Sequence, residues 1–270
     1  MSLGLALKLA NATLFKGGGV RYSAEATALF ARFTTPPTTQ RKALIDALIV
    51  SLKTAGVWSK LDALYLTAAA DSQAARRNWI ADQYNLTAVA APTFSADRGY
   101  QGDGTNSYLG TGFTPSSATT PQYTQNSASY GVWSRTAAAS ATTNEIDMGP
   151  SLVAPRADMR VRRSDGVAAL IINDNTLNSA ASTDGSGLFI AIRSGSAARE
   201  LRRNNAQLVA DATASTGLPT SAFSVLAGGA SPGRSARQAC SAFIGGALTP
   251  TEANALYAAQ LTYLQAVGAA

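Results

Sequence analysis

Apolar and polar positions along the chain change texture twice. At the start Leu3, Leu5, Leu7 and Leu9 alternate with Gly4, Ala6 and Lys8, the period of two that marks a strand with one apolar edge. Gly17, Gly18 and Gly19 interrupt the pattern. A short strand ahead of a flexible triple glycine has no partner in its own neighbourhood. It is expected to add to the sheet of another subunit, the alternative being a strand of the chain's own sheet.

Helical spacing follows. Ser23 precedes Ala24, Glu25 and Ala26, an N-cap with an acid in the first turn, and Leu29, Phe30 and Phe33 follow before Pro36 and Pro37 stop the run. From about Thr39 a second helix places Leu44, Leu48 and Leu52 beside Ile45 and Ile49, with Gly56 at the expected stop. Trp58, Leu61, Leu64, Tyr65 and Leu66 are expected to pack this hairpin onto a sheet.

From Asn85 the texture becomes short runs broken by Gly, Asn, Asp and Ser. DMRVRRSDGVAALIIND predicts a hairpin with a tight primed turn at Asp165-Gly166, and Arg160 and Arg162 would then share one strand face. GLFIAIRSG predicts a strand with Leu188, Ile190 and Ile192 on one side; ARELRRNNAQLVA predicts strand, Asn204-Asn205 turn, strand. Thr249-Pro250-Thr251-Glu252 is a capping box with proline at the first helical position, opening a helix with Leu256, Tyr257, Leu261 and Leu264. The predicted organisation is an anchoring strand and glycine linker over residues 1–20, a helical module over 21–84, and a β-sandwich over 85–270 closed by a C-terminal helix.

At 270 residues and 46% hydrophobic content the chain can bury a sizeable core. Charged residues make up 14%, a composition suited to close-packed sheets and assembly surfaces, so a homo-oligomer is expected. The net charge of +6 is spread singly and in pairs, which argues against nucleic acid and fits an anionic polysaccharide. No apolar run is long enough to insert in a membrane. Cys240, the one cysteine, stands in an apolar stretch and reads as a buried thiol.

The chain has no histidine, which excludes Ser-His-Asp and Cys-His triads and removes the commonest zinc ligand. Glycoside hydrolysis needs two carboxylates. NEIDMGPS offers Glu145 and Asp147 on one face of a possible strand, with Gly149 and Pro150 where a further glutamate would stand. The chain is therefore expected not to be an enzyme and to need no cofactor, with Glu145→Gln silent. GDGTNSY around Asp103 could ligate calcium through oxygen donors, or could be a turn satisfying its own backbone. Sugar recognition needs aromatic faces with amides or charges beside them. The candidates are Tyr123, Asn126, Tyr130, Trp133 and Arg135; alternation with Val132 does not fix the side that Trp133 faces, and a core position is the preferred reading for it.

The order of ALIDALIVSLKTAGVWSKLDALYL, DSQAARRNW and AAPTFSADRGYQGDGTNSYLGTGF, together with FIGGALTPTEANALYAAQLTYLQAVGA at the far end, resembles tailed-bacteriophage or gene-transfer-agent-like virion proteins carrying a laminin-G-like, concanavalin A-like jelly roll. The resemblance implies a mainly β jelly-roll sandwich with an N-terminal helical hairpin and a C-terminal helix. It also implies a virion structural protein, a tail or head fibre, spike or decoration, displayed at the virion surface and presenting a lectin-like domain to host glycans. Leu3, Leu5, Leu7 and Leu9 would then make the virion attachment, with other virion subunits as partners. A polysaccharide depolymerase or glycosidase on the same fold, or a structural adaptor without ligand, are the alternatives.

Overall fold

A computed structural model describes residues 20–150, 152–229 and 233–270. The alternating leucines Leu3, Leu5, Leu7 and Leu9 and the triple glycine lie outside the described residues. In chain order the elements are α1 (Ala24–Phe30), α2 (Thr39–Thr54), β1 (Leu61–Tyr65), β2 (Thr87–Val89), β3 (Thr93–Ser95), β4 (Gly99–Gln101), β5 (Tyr108–Gly110), β6 (Ala128–Ser134) and β7 (Met148–Gly149). There follow β8 (Arg156–Arg160), β9 (Val167–Asp174), β10 (Asn178–Ala181), β11 (Gly187–Gly195), β12 (Ala198–Arg203), β13 (Ala206–Asp211), β14 (Ser224–Val225), β15 (Gln238–Gly245) and α3 (Pro250–Ala266).

The strands form two antiparallel sheets. One runs β13-β12-β11-β6-β15-β4-β3 with β1 also on β15; the other runs β10-β9-β8-β7-β14-β5-β2. The chain crosses between them at β1 to β2, β2 to β3, β4 to β5, β5 to β6, β6 to β7, β10 to β11, β13 to β14 and β14 to β15, which stacks the sheets face to face in the layout of a jelly-roll sandwich. Tyr123, Tyr130 and Phe223 fill the interior, with ring centroids 5.1 Å apart for Tyr130 and Phe223 and 5.7 Å for Tyr123 and Phe223. Helix α3 covers the outside of the eight-stranded sheet. Gln260 on its buried face accepts a hydrogen bond from Ser241 of β15, and Leu256 and Leu264 are fully buried.

The caps at Ser23, Gly56 and Thr249 act as the sequence predicts: the Ser23 side chain accepts from a backbone N–H at the start of α1, Thr249 and Glu252 complete a capping box, and Gly56 takes φ +73 beyond α2. Thr38, not singled out from the sequence, caps α2 in the same way. Asn204 sits in the left-handed region at φ +55, in the turn between β12 and β13.

Three expectations need correction. The helical stretch does not run on toward residue 84: Leu61–Tyr65 is a strand paired with β15 through Leu64↔Phe243 and Tyr65↔Ala242. Its apolar spacing resembles a helix face because both sides of the strand are covered. Second, β8 and β9 pair, but six residues separate them and only Gly166 has positive φ, so no two-residue primed turn forms at Asp165-Gly166. Third, Arg160 and Arg162 do not share a face. β8 ends at Arg160, which lies 3.3 Å from Asp158, while Arg162 beyond it donates to the carbonyls of Ser182 and Ala137.

Buried ion pairs tie the two sheets together. Asp174 at the end of β9 takes Arg193 of β11 at 2.6 Å and Arg199 of β12 at 2.8 Å; both arginine side chains have no exposure, and Arg199 also holds Asp211 of β13. Elsewhere Asp147 accepts from Ser235 and from the Val161 N–H and lies 3.2 Å from Arg237. The bond from Arg199 pulls the Asp211 carboxyl down to about 2. Its unfolded value is about 3.9, so its contribution is complete above that pH and is lost as pH falls toward 2. Asp211→Asn should therefore flatten the acid side of a plot of urea midpoint against pH. Identical slopes for variant and parent below pH ~4 would remove Asp211 from the acid response.

Candidate functional site

Alternation along β6 sorts the predicted sugar-binding residues. Tyr130 points between the sheets and its hydroxyl donates to the Ile171 carbonyl; Tyr123 is likewise interior and donates to Asn173 Oδ1. Burial pushes both phenols above the ordinary tyrosine range. These two are core residues and cannot meet a ligand. Asn126 is exposed on a loop, where its Oδ1 accepts from Ser215, and it does not line the cleft that holds Trp133 and Arg135.

Trp133 projects from the opposite side of β6, and with Arg135 just beyond the strand it lines a cleft of about 290 Å3 with Ser186, Gly187, Asn204, Tyr257 and Ala269. The indole stacks on Tyr257 of α3 with centroids 5.5 Å apart and planes 14° from parallel. Trp133 is thereby 4% exposed, and half-buried Tyr257 is the more accessible ring. Arg135 donates from Nε to the Ala269 carbonyl at 2.6 Å and from Nη1 to Gln238 Oε1. These partners fix its plane without neutralising it. Among the described residues no carboxylate forms an ion pair with Arg135, which is the one charged side chain lining the cleft, where Ala270 also stands.

The cleft's polar floor comes from the β11 and β12 ends. Asn204 Oδ1 accepts from the Leu188 N–H at 2.9 Å, which leaves its amide Nδ2 as the donor for a ligand. Gly187 has φ +103, and a Cβ there would stand 2.5 Å from Asn204 Oδ1. Only glycine lets the amide lie over the strand. Ser186 donates to Asp184, whose carboxyl is held below its ordinary range by bonds from Ser186 and Arg203 against the cost of burial. Gly187→Ala should both lower the melting temperature and displace the Asn204 amide, seen as a shift of its side-chain NH2 resonances. An unshifted amide would show that the glycine does not position it.

The other predicted chemistry resolves into local structure. Asp103 Oδ1 accepts from the N–H groups of Thr105, Asn106 and Ser107, which pull its carboxyl well below the usual range; the oxygen offered for calcium closes the turn. Among the described residues no cluster of three metal-ligating side chains occurs. Glu145 and Asp147 do not share a strand face, because β7 begins at Met148. Glu145 caps the N–H groups of Ala141 and Thr142, and Asp147 is buried. Cys240 is buried, and burial raises its thiol.

Of the five sugar-binding candidates the structure brings Trp133 and Arg135 to one cleft, with Trp133 almost fully buried. Tyr257, Asn204 and Ser186 were not assigned to a site. Tyr257 has the spacing of a core helix residue, and the Asn204 signal was a turn signal, accurate as far as it went.

No protein-family model matches the sequence, and no curated protein does. Solved structures match in fold. A Trypanosoma rangeli sialidase in complex with sialic acid superposes with a TM-score of 0.55 at 11% identity, over 82% of this chain and 39% of that one. The same sialidase with the inhibitor DANA gives 0.53 at 11% identity, over 83% and 39%. Domain 4 of AbnA, a GH43 extracellular arabinanase from Geobacillus stearothermophilus in complex with arabinotriose, gives 0.50 at 13% identity, over 73% of this chain and 98% of that one. The chain thus spans about two fifths of the sialidase chains and nearly all of the arabinanase domain. These matches overturn the expectation that the chain is not an enzyme. Its fold occurs in a sialidase and an arabinanase, and the absence of histidine bears only on triads and zinc sites, which carboxylate-based glycoside hydrolysis does not use.

Proposed function

We propose that the protein engages a glycan in the Trp133–Arg135 cleft and acts on or within a polysaccharide-processing system. The observation that carries this reading is the cleft's donor set: the accessible Tyr257 ring stacked on Trp133, the Asn204 amide held over Gly187, and a fixed Arg135 guanidinium with no ion-pair partner among the described residues. An aromatic face suits the C–H surface of a sugar ring, and the amide and guanidinium suit its oxygens. The charge of Arg135 favours an acidic sugar whose carboxylate it can bind. The domain of an arabinanase in complex with arabinotriose, matched along almost its whole length, supports oligosaccharide as the ligand class.

Hydrolysis of that glycan is the second reading, favoured by the sialidase and arabinanase matches. Display on a phage-like particle, with the leucine-rich start as the attachment, is a further proposal that rests on the sequence resemblance alone. One experiment separates binding from turnover: acidic and neutral oligosaccharides are titrated into the protein while reducing ends are followed in the same samples. Saturable binding of acidic oligosaccharides without new reducing ends supports recognition, and release of reducing ends makes hydrolysis the function. No binding to any acidic oligosaccharide contradicts the proposal.

A further inference from the structure

A second cavity, of about 190 Å3, lies between the turn joining α1 to α2, the 69–74 turn and α3. Phe33, Ile45, Trp79 and Tyr263 supply its apolar walls, and Arg41 and Asp71 its charges. It repeats the plan of the first. Each has a tryptophan almost fully buried, a tyrosine of α3 against that indole, and an arginine. Trp79 meets Tyr263 edge to face with centroids 5.7 Å apart, as Trp133 stacks on Tyr257. Tyr257 and Tyr263 are six positions apart on one helix, about 240° around it and ~9 Å along it, so the two cavities flank α3.

The charges differ. Arg41 pairs with Asp97 at 2.7 Å and donates to the Tyr263 hydroxyl, and Asp71 stands on the same cavity with Oδ1 accepting from the Gln73 and Ala74 N–H groups. Asp97 neutralises the guanidinium here and Asp71 adds a second carboxylate, so this cavity offers no net positive charge, whereas Arg135 has no ion-pair partner among the described residues. The volume is below the roughly 300–1,000 Å3 of sites for drug-sized ligands, which limits the occupant to about one ring.

We infer that this cavity is a second sugar site, taking a single neutral furanose or pyranose ring, with the ring's C–H surface on the aromatic walls and its hydroxyls on Arg41 and Asp71. The inference rests on reading the Trp133–Arg135 cleft as a glycan site. A glycan carrying both an acidic and a neutral sugar would be held on both sides of α3, and tethering at one site raises the effective concentration at the other.

The three tryptophans, Trp58, Trp79 and Trp133, report the sites separately through their indole N–H resonances in nitrogen–proton correlation spectra. Methyl arabinoside, methyl glucoside and methyl galactoside are titrated as neutral probes, and glucuronate and galacturonate as acidic ones. At least one neutral glycoside should shift Trp79, and Ala70→Phe, which places a ring at the cavity wall from an exposed position, should weaken that shift at least about tenfold while leaving Trp133 unaffected. A Trp133 response to uronates with no Trp79 response to any neutral glycoside overturns the second site and leaves the cleft reading intact. The converse, Trp79 responding and Trp133 silent, overturns the cleft reading and upholds the second site. A Trp79 shift unchanged by Ala70→Phe places the sugar elsewhere and overturns the inference.

Discussion

Asp174→Ala should destabilise the protein by about 3–5 kcal/mol, the usual cost of removing one partner from a buried ion pair. Asp174 accepts from Arg193 Nη2 at 2.6 Å and from Arg199 Nη1 at 2.8 Å, and neither arginine side chain has any exposure. Both guanidinium groups would lose their shared counter-ion. Arg199 retains Asp211, whereas the remaining partners of Arg193 among the described residues are the carbonyls of Ile172, Gly195, Ser196 and Thr213. Against a typical stability of 5–15 kcal/mol this loss is a large fraction of the whole. Denaturant titration measures it; a loss below ~1 kcal/mol would show that water enters and solvates the arginines.

The second large effect is on binding. Tyr257→Ala removes the accessible ring of the cleft, and Arg135→Ala removes its charge; each should weaken binding of an acidic oligosaccharide by about 2 kcal/mol, roughly 30-fold. Arg135→Ala should also abolish any preference for acidic over neutral oligosaccharides, because no other cationic side chain lines the cleft among the described residues. Tyr257→Ala should weaken both kinds alike. Trp133 is a poorer probe, since its burial under Tyr257 couples its removal to packing between α3 and the sheet. Calorimetric titration distinguishes these patterns, and equal affinities for parent and both variants would place binding elsewhere.

Local chemistry in this chain was legible and distant pairing was not. Ser23, Gly56, Thr249 with Glu252, and the Asn204 turn each carry their backbone signal within a few residues, and each took the conformation that signal predicts. LDALY gave no such signal. Its partner lies nearly two hundred positions away in β15, and a strand covered on both sides loses the period of two, so it was absorbed into the preceding helical run. Arg193 was hidden by the opposite effect: a single charge in GLFIAIRSG reads as a solvated strand end, and only the fold brings Asp174 to it. The candidate site divides along the same line. Alternation along β6 places Tyr130 and Trp133 on opposite sides but cannot say which side is the core, and Tyr257 and Asn204 reach Trp133 only through the docking of α3 and the pairing of β11 with β12.

The central claim is that glycan binds between the Tyr257 ring and the Arg135 guanidinium. A crystal structure of the protein soaked with a uronate-containing oligosaccharide tests it most directly. The claim predicts a sugar ring against Tyr257, with its carboxylate on Arg135 and a hydroxyl on the Asn204 amide. Sugar bound outside this cleft, or an empty cleft at saturating oligosaccharide, would contradict it.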